Sequence, residues 1–494
     1  MLNYAKNWKL SKIGECLMLI RGISFPKSAK KNDYKNGLIA CLRTKNVQKE
    51  VDWDDLWFVN IKFLKREEQI IKKGDILMSV SNSLKLLGKV SLIKSSPYVS
   101  TLGAFIVNLR VSELLNNKFI FYYLYSLDFK NNVMEKASTT TNISNISAGK
   151  LANIFMPIAP LNEQNRIVEK IEELFSDLDK ATDDLKKIQE QLKIYRQAVL
   201  KRAFEGKLTE EWRKKNNPRF TKILLQKIAE DKKNQVSKNY NRRKINKDNN
   251  IFEEELNNLS SIPNTWEWTK INDISYDIQY GYTESANLNP IGPRFLRITD
   301  IQNNKVEWNK VPYCKINNIE KEKYILKKDD ILFARTGATV GKSYLIKGLI
   351  PESIFASYLI RLKLSKLVNK LNVFYFFQSL IYWKQIKSGQ VGTGQPNFNG
   401  TKLGQLMIPL CNYDEQEQIV KEIESRLSVC DKLEETVQQS QKKIEYLRQS
   451  ILKKAFEGKL VPQNPNDEPA EKLLERIKQE KEKYELNKKK RKKR

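Results

Sequence analysis

Between Leu161 and Leu208 apolar residues recur at alternating steps of four and three: Ile167, Ile171, Leu174, Leu178, Ala181, Leu185, Ile188, Leu192, Tyr195 and Val199. A repeat averaging about 3.5 residues keeps one seam facing a partner, so the pattern predicts a long coiled-coil helix and not a simple surface helix. The same stripe returns 252 positions later at Ile419, Ile423, Arg426, Cys430, Leu433, Val437, Ser440, Ile444, Leu447 and Ile451, broken only by Arg426 and Ser440. Matching flanks fix the register: Glu163-Gln164 answers to Glu415-Gln416, and Ala203-Phe-Glu-Gly-Lys-Leu208 to Ala455-Phe-Glu-Gly-Lys-Leu460. The partner of each helix is therefore expected within this chain, with Ile167, Ile171, Leu178, Leu185, Leu192, Ile419, Ile423, Leu433, Ile444 and Leu447 as pairing residues.

The segments before the stripes also replay one another. Trp8 and Ile13 answer to Trp266 and Ile271, Arg43 to Arg297, Asp75-Ile-Leu77 to Asp330-Ile-Leu332, and Phe121-Tyr122 to Phe374-Tyr375. Short β-rich runs (37–47, 75–80 and 104–109), separated by Gly, Asn, Ser and Pro, predict a mixed domain, and 119–129 is read as a packed helix. The unit is one globular domain plus one long helix, used twice. The expected division is a first globular domain at 1–158 and a first long helix at 159–212. A basic connector at 213–262 leads to a second domain at 263–410, a second long helix at 411–461, and a C-terminal helix with a basic tail at 462–494. Within the connector, Lys232 to Asn250 is too polar to bury a core and is read as flexible.

With 494 residues, the chain is long enough for two or more cores. Its net charge of +30 points to a polyanionic partner, and the tail Lys488–Arg494 supplies only seven of those charges. No apolar run reaches the roughly 18 residues of a membrane span, and no secretion signal is recognisable, so a cytoplasmic location with no membrane partner is expected. Five cysteines without a CxxC pair read as reduced and structural. The absence of histidine removes Ser-His-Asp and Cys-His catalysis and HExxH zinc sites together. No catalytic or metal-ligating set is assigned.

Gly337-Ala-Thr-Val-Gly-Lys342-Ser343 imitates a phosphate loop, yet three residues separate its glycines where four are required. It is read instead as a turn that leaves Arg335, Thr336 and Lys342 exposed. Ser138 to Gly149 and Gly389 to Gly400 are equivalent polar loops that place Thr140, Asn142, Gln395 and Asn397 as candidates for phosphate and base-edge contact. Arg43, Lys45 and Asn46, with Arg297 and Thr299 in the second copy, close equivalent strands and are candidates for base reading, since Arg suits guanine and Asn adenine.

Pro160-Leu-Asn-Glu-Gln164, its variant at Cys411 to Gln416, the Arg-Gln pairs at Arg196 and Arg448, both Ala-Phe-Glu-Gly-Lys-Leu exits and Arg335-Thr-Gly to Gly341-Lys342 together give a resemblance. The chain resembles the DNA-specificity subunit of type I restriction-modification systems. The resemblance implies an α+β fold: two similar target recognition domains joined by two long antiparallel coiled-coil helices, a pseudo-two-fold repeat. It also implies a non-catalytic subunit that reads a bipartite, asymmetric site in double-stranded DNA. Two methyltransferase subunits and restriction/translocase subunits would dock on it, with S-adenosylmethionine, ATP and magnesium held only by those partners. A coiled-coil scaffold and a stand-alone methyltransferase or nuclease remain as competing readings. The first leaves the charge unexplained, and the second lacks an Asn/Asp-Pro-Pro-aromatic motif and a Pro-Asp nuclease opening.

Overall fold

Both stripes fold as single helices of 44 residues, Leu161–Phe204 and Tyr413–Phe456, in the computed structural model, which describes residues 7–140, 143–238, 259–302, 304–389 and 397–492. The chain divides into two compact units, residues 1–186 with 438–494, and residues 187–437. Compactness therefore does not follow the linear division expected from the sequence, because each unit takes half of each long helix.

In the first unit a four-stranded antiparallel sheet runs Leu17–Arg21, Ile106–Val111, Ile76–Ser79, Val90–Leu92. The second unit repeats it as Ser275–Tyr280, Leu359–Leu364, Ile331–Ala334, Ser343–Leu345. Each copy adds a two-stranded ribbon that joins its start to its exit, Lys9–Lys12 with Phe155–Ile158 and Glu267–Lys270 with Met407–Leu410. A parallel pair completes each, Leu38–Leu42 with Ser100–Leu102 and Arg294–Leu296 with Ser353–Phe355. The Asp of each Asp-Ile-Leu run explains that motif. Asp75 pairs with Arg110 at 2.7 Å and Asp330 with Arg361 at 3.2 Å, and each carboxylate also accepts the backbone N–H three residues earlier. The turn before this strand needs positive φ; Gly74 supplies it at +89°, and Asp329 holds +68° in the second copy.

Each core joins a globular copy to two helix segments. In the first unit Ile167, Val168, Ile171 and Phe175 share a cluster with Leu452, Ala455 and Phe456, and Phe456 meets Phe119 and Tyr123 edge-on at 5.2 and 5.3 Å. In the second, Val199, Leu200, Ala203 and Phe204 share a cluster with Ile419 and Ile423, and Phe204 meets Phe376 at 5.3 Å. Within each unit the two helix segments run antiparallel: Arg448 bonds Asp179 at 2.7 Å in the first, and Arg196 bonds Asp431 at 2.5 Å in the second. The repeat of 252 residues converts one pair into the other.

Three expectations change. Leu433 and Leu447, assigned to the seam, are 45% and 43% exposed, whereas Cys430, Val437 and Arg448 are buried. An α-helix drifts by about 20° per heptad against a strict 3.5 repeat. Where the stripe has drifted outward, Arg448 lays its guanidinium 5.0 Å from the Phe175 ring. The helix expected over 119–129 breaks at Ser126, whose hydroxyl accepts from Phe129 N–H and caps a second helix. Finally, Thr221–Lys238 is one helix, so the flexible reading fails at its start. Lys232 is held there because its amine donates to the Asn272 carbonyl at 2.7 Å. Positions 239–250 of that reading lie outside the described residues.

Candidate nucleic-acid interface

The strand-end candidates are occupied with their own backbone. Asn46 is fully buried; its carbonyl accepts Arg43 N–H at 2.8 Å and its amide donates to the Asp52 and Asp55 carbonyls. Arg43 bonds Asp55 and lies 4.3 Å from the Trp57 ring, and Lys45 pairs with the same carboxylate. In the second copy Asp300 takes the place of Asn46, accepting Arg297 N–H at 2.9 Å and gripping its guanidinium at 2.8 and 3.1 Å. These residues build a turn. The base-reading expectation is corrected for Asn46, whose amide has no free edge, while Thr299 stays exposed.

A different edge gathers the loop candidates. Beyond Ile76–Ser79 the chain continues as Ser81–Asn82, which pairs with Ser144–Asn145, itself paired with Ser138–Thr139. In the second copy Thr336 bridges Asn397, and Phe398 N–H donates to the Arg335 carbonyl at 2.8 Å. Arg335 and Thr336 are half-buried, in place of the full exposure expected. The Arg335 guanidinium stands 5.0 Å from the Tyr280 ring with a buried, unpartnered Nε, and Tyr280 in turn accepts Gly400 N–H at 2.7 Å. Lys342 is exposed just after Gly341, where φ is +89°. Thr140 closes its own turn by donating to the Ile143 carbonyl at 3.0 Å. Asn142 and Gln395 lie outside the described residues.

Sequence reasoning missed the aromatic rim of these edges. Phe105 is 63% and Tyr358 58% exposed, each immediately before the central strand, and each carbonyl accepts an N–H from the continuing strand, Val80 and Arg335 respectively. An apolar ring left in water at the same register of both copies serves no core. The signal was available as the aligned runs Ala104-Phe105-Ile106 and Ser357-Tyr358-Leu359. Sheet register also makes Arg21, opposite Val107, the counterpart of Tyr280, opposite Ile360.

The type I restriction modification DNA specificity domain matches residues 5–194 and again 263–446. The chain belongs to this family. Among its relatives are the type I restriction enzyme EcoKI specificity subunit of Escherichia coli K12, 29% identical, and the StySPI specificity subunit of Salmonella potsdam, 26% identical. Each alignment covers 96% of both chains. A solved structure, titled as the structural basis underlying complex assembly and conformational transition of the type I R-M system, covers 93% of this chain and all of its own. Its TM-score is 0.64 at 15% identity, which is a likeness of fold. As a specificity subunit the chain is the DNA-recognising, non-catalytic part of a restriction-modification complex. The scaffold and stand-alone-enzyme readings fall with that assignment. No helix among the described residues is long and apolar enough to cross a membrane.

Proposed function

We propose that each copy reads one half of a bipartite, asymmetric site in double-stranded DNA. One observation carries this reading: the two edges share a strand register but differ in side chains, Val80 against Arg335 and Ser81 against Thr336. Equal scaffolds with unequal edges suit two different half-sites, because side chains on a rigid frame read base edges while the frame sets register. Of the loop and turn candidates, Arg335, Thr336, Lys342 and Asn397 are assigned to the second half-site.

The long helices supply docking faces for two methyltransferase subunits. Ile194 and Tyr195 are exposed on the first helix, and Tyr446 and Leu447, their counterparts in the repeat, on the second. Duplicated apolar pairs left in water suit two copies of one partner. Restriction/translocase subunits join that core. S-adenosylmethionine, ATP and magnesium belong to those subunits, and the chain itself lies in the cytoplasm.

Exchanging residues 1–155 for those of another family member, followed by sequencing of methylated adenines in cells, tests the two-reader assignment. One half-site should change and the other persist. A change in both would refute it.

A further inference from the structure

A cleft of about 330 Å³ opens beside the reading edge of the first copy. Arg21, Lys150, Ser81, Ser138, Asn145 and Phe105 line it, and the remaining lining residues include no carboxylate. Arg21 and Lys150 are exposed, and the Lys150 amine donates to the Ser138 hydroxyl at 3.0 Å. At the equivalent place in the second copy the Tyr280 ring takes the position of Arg21, bonded to Gly400 N–H and covered by Arg335. The first copy therefore has a guanidinium, Arg21, where the second has the Tyr280 ring, while Lys150 has its counterpart in Lys402, three residues past the equivalent cap, whose amine donates to the Gly389 carbonyl at 2.9 Å.

We propose that this cleft grips the phosphodiester backbone of the DNA read by the first copy, with Arg21 and Lys150 as the phosphate contacts and Phe105 against the neighbouring sugar. The inference rests on the DNA-reading role of the edge. Two cations with no acid facing them favour an anion of any sequence, and guanidinium and ammonium groups both suit phosphate oxygens. The first half-site would accordingly gain one backbone contact, from Arg21, at a position where the second copy carries Tyr280.

The test uses the chain assembled with its methyltransferase subunits and duplexes with and without the native site. Arg21→Ala and Lys150→Met should each lower the slope of log affinity against log salt by about one, and together by about two. Affinity should fall about fivefold per substitution at 0.15 M salt, equally on both duplexes, with thermal melting unchanged. Arg21→Lys should restore the slope, and the methylated sequence in cells should stay the same. Free mononucleotide at millimolar concentration should not compete. An unchanged slope in a folded variant overturns the proposal, as does competition by the mononucleotide. Altered bases in the first half-site also overturn it, showing that Arg21 reads bases. If wild-type complex shows no salt-dependent binding to either duplex, the DNA-reading role itself fails, an outcome distinct from a variant matching a binding wild type.

Discussion

Glu163 and Glu415 occupy the same place in the two copies, yet only the second is fully paired. Glu415 accepts the Trp266 indole N–H at 3.0 Å, the Thr209 hydroxyl at 2.8 Å and Arg213 at 2.8 Å. Glu163 is equally buried but retains one oxygen without a hydrogen-bond partner, and burial pushes its carboxyl up from the usual 4.5 against the opposing pull of Trp8. A raised folded value stabilises below pH 4.5, and that contribution is lost as pH rises through the folded value, so the ionised form burdens the fold at neutral pH. The melting temperature of Glu163→Gln relative to wild type should therefore climb between about pH 4 and pH 7. A constant difference across that range would show that Glu163 is adequately solvated. The adjacent glutamines are simpler. Gln164 joins the Ala159 carbonyl to Asn116 N–H, and Gln416 joins the Cys411 carbonyl to Asn369 N–H, all between 2.8 and 3.0 Å. The Glu-Gln motif thus locks a strand exit to a helix start, a role that residue type alone did not disclose.

At the scale of elements, the stripes were readable because 44-residue helices repeat their spacing many times over. Where the stripe would leave the seam was not readable, since drift depends on how tightly two helices supercoil. Arg196 and Arg448 mark those places. Arg448→Met should keep the packing over Phe175 and change stability by less than about 1 kcal/mol, whereas Arg448→Ala should cost about 2 kcal/mol in urea unfolding. Equal losses for both would make the Asp179 pair, and not the stem, the source of stability. The strand-end candidates misled for a related reason. Arg, Asn and Thr suit base edges, and they suit turns equally well. Asn46 and Asp300 spend their side chains on the turn, a choice set by burial that no local pattern reveals.

For the whole molecule, the repeat, the α+β class and the family were legible in the sequence, because duplication writes the same information twice. At the strand edges Thr336 and Asn397 were legible as separate loop candidates but not as the bridged pair they form, while Arg21 and Phe105 gain meaning only once strand register brings distant turns together. If the long helices set the spacing of the two readers, a heptad placed after Leu185 needs a matching heptad after Lys442, because the segments pair antiparallel. The double insertion adds about 10 Å at 1.5 Å per residue, and at 3.4 Å per base pair the recognised site should gain at most about three spacer pairs. Both half-sites should stay as they were. Methylation sequencing of a folded, active variant with an unchanged spacer would deny the helices that role.

The division into units also sets the timetable of synthesis. Residues 187–437 form a contiguous unit that can close before the ribosome has finished, but the unit begun by residues 1–186 needs residues 438–494. The first domain to be made is thus the last to be completed, and until then Phe119 and Tyr123 lack the Phe456 ring that covers them. A nascent chain or a product of premature termination would expose that surface to chaperones and proteases. Quality control would then fall on the first reader and spare the second.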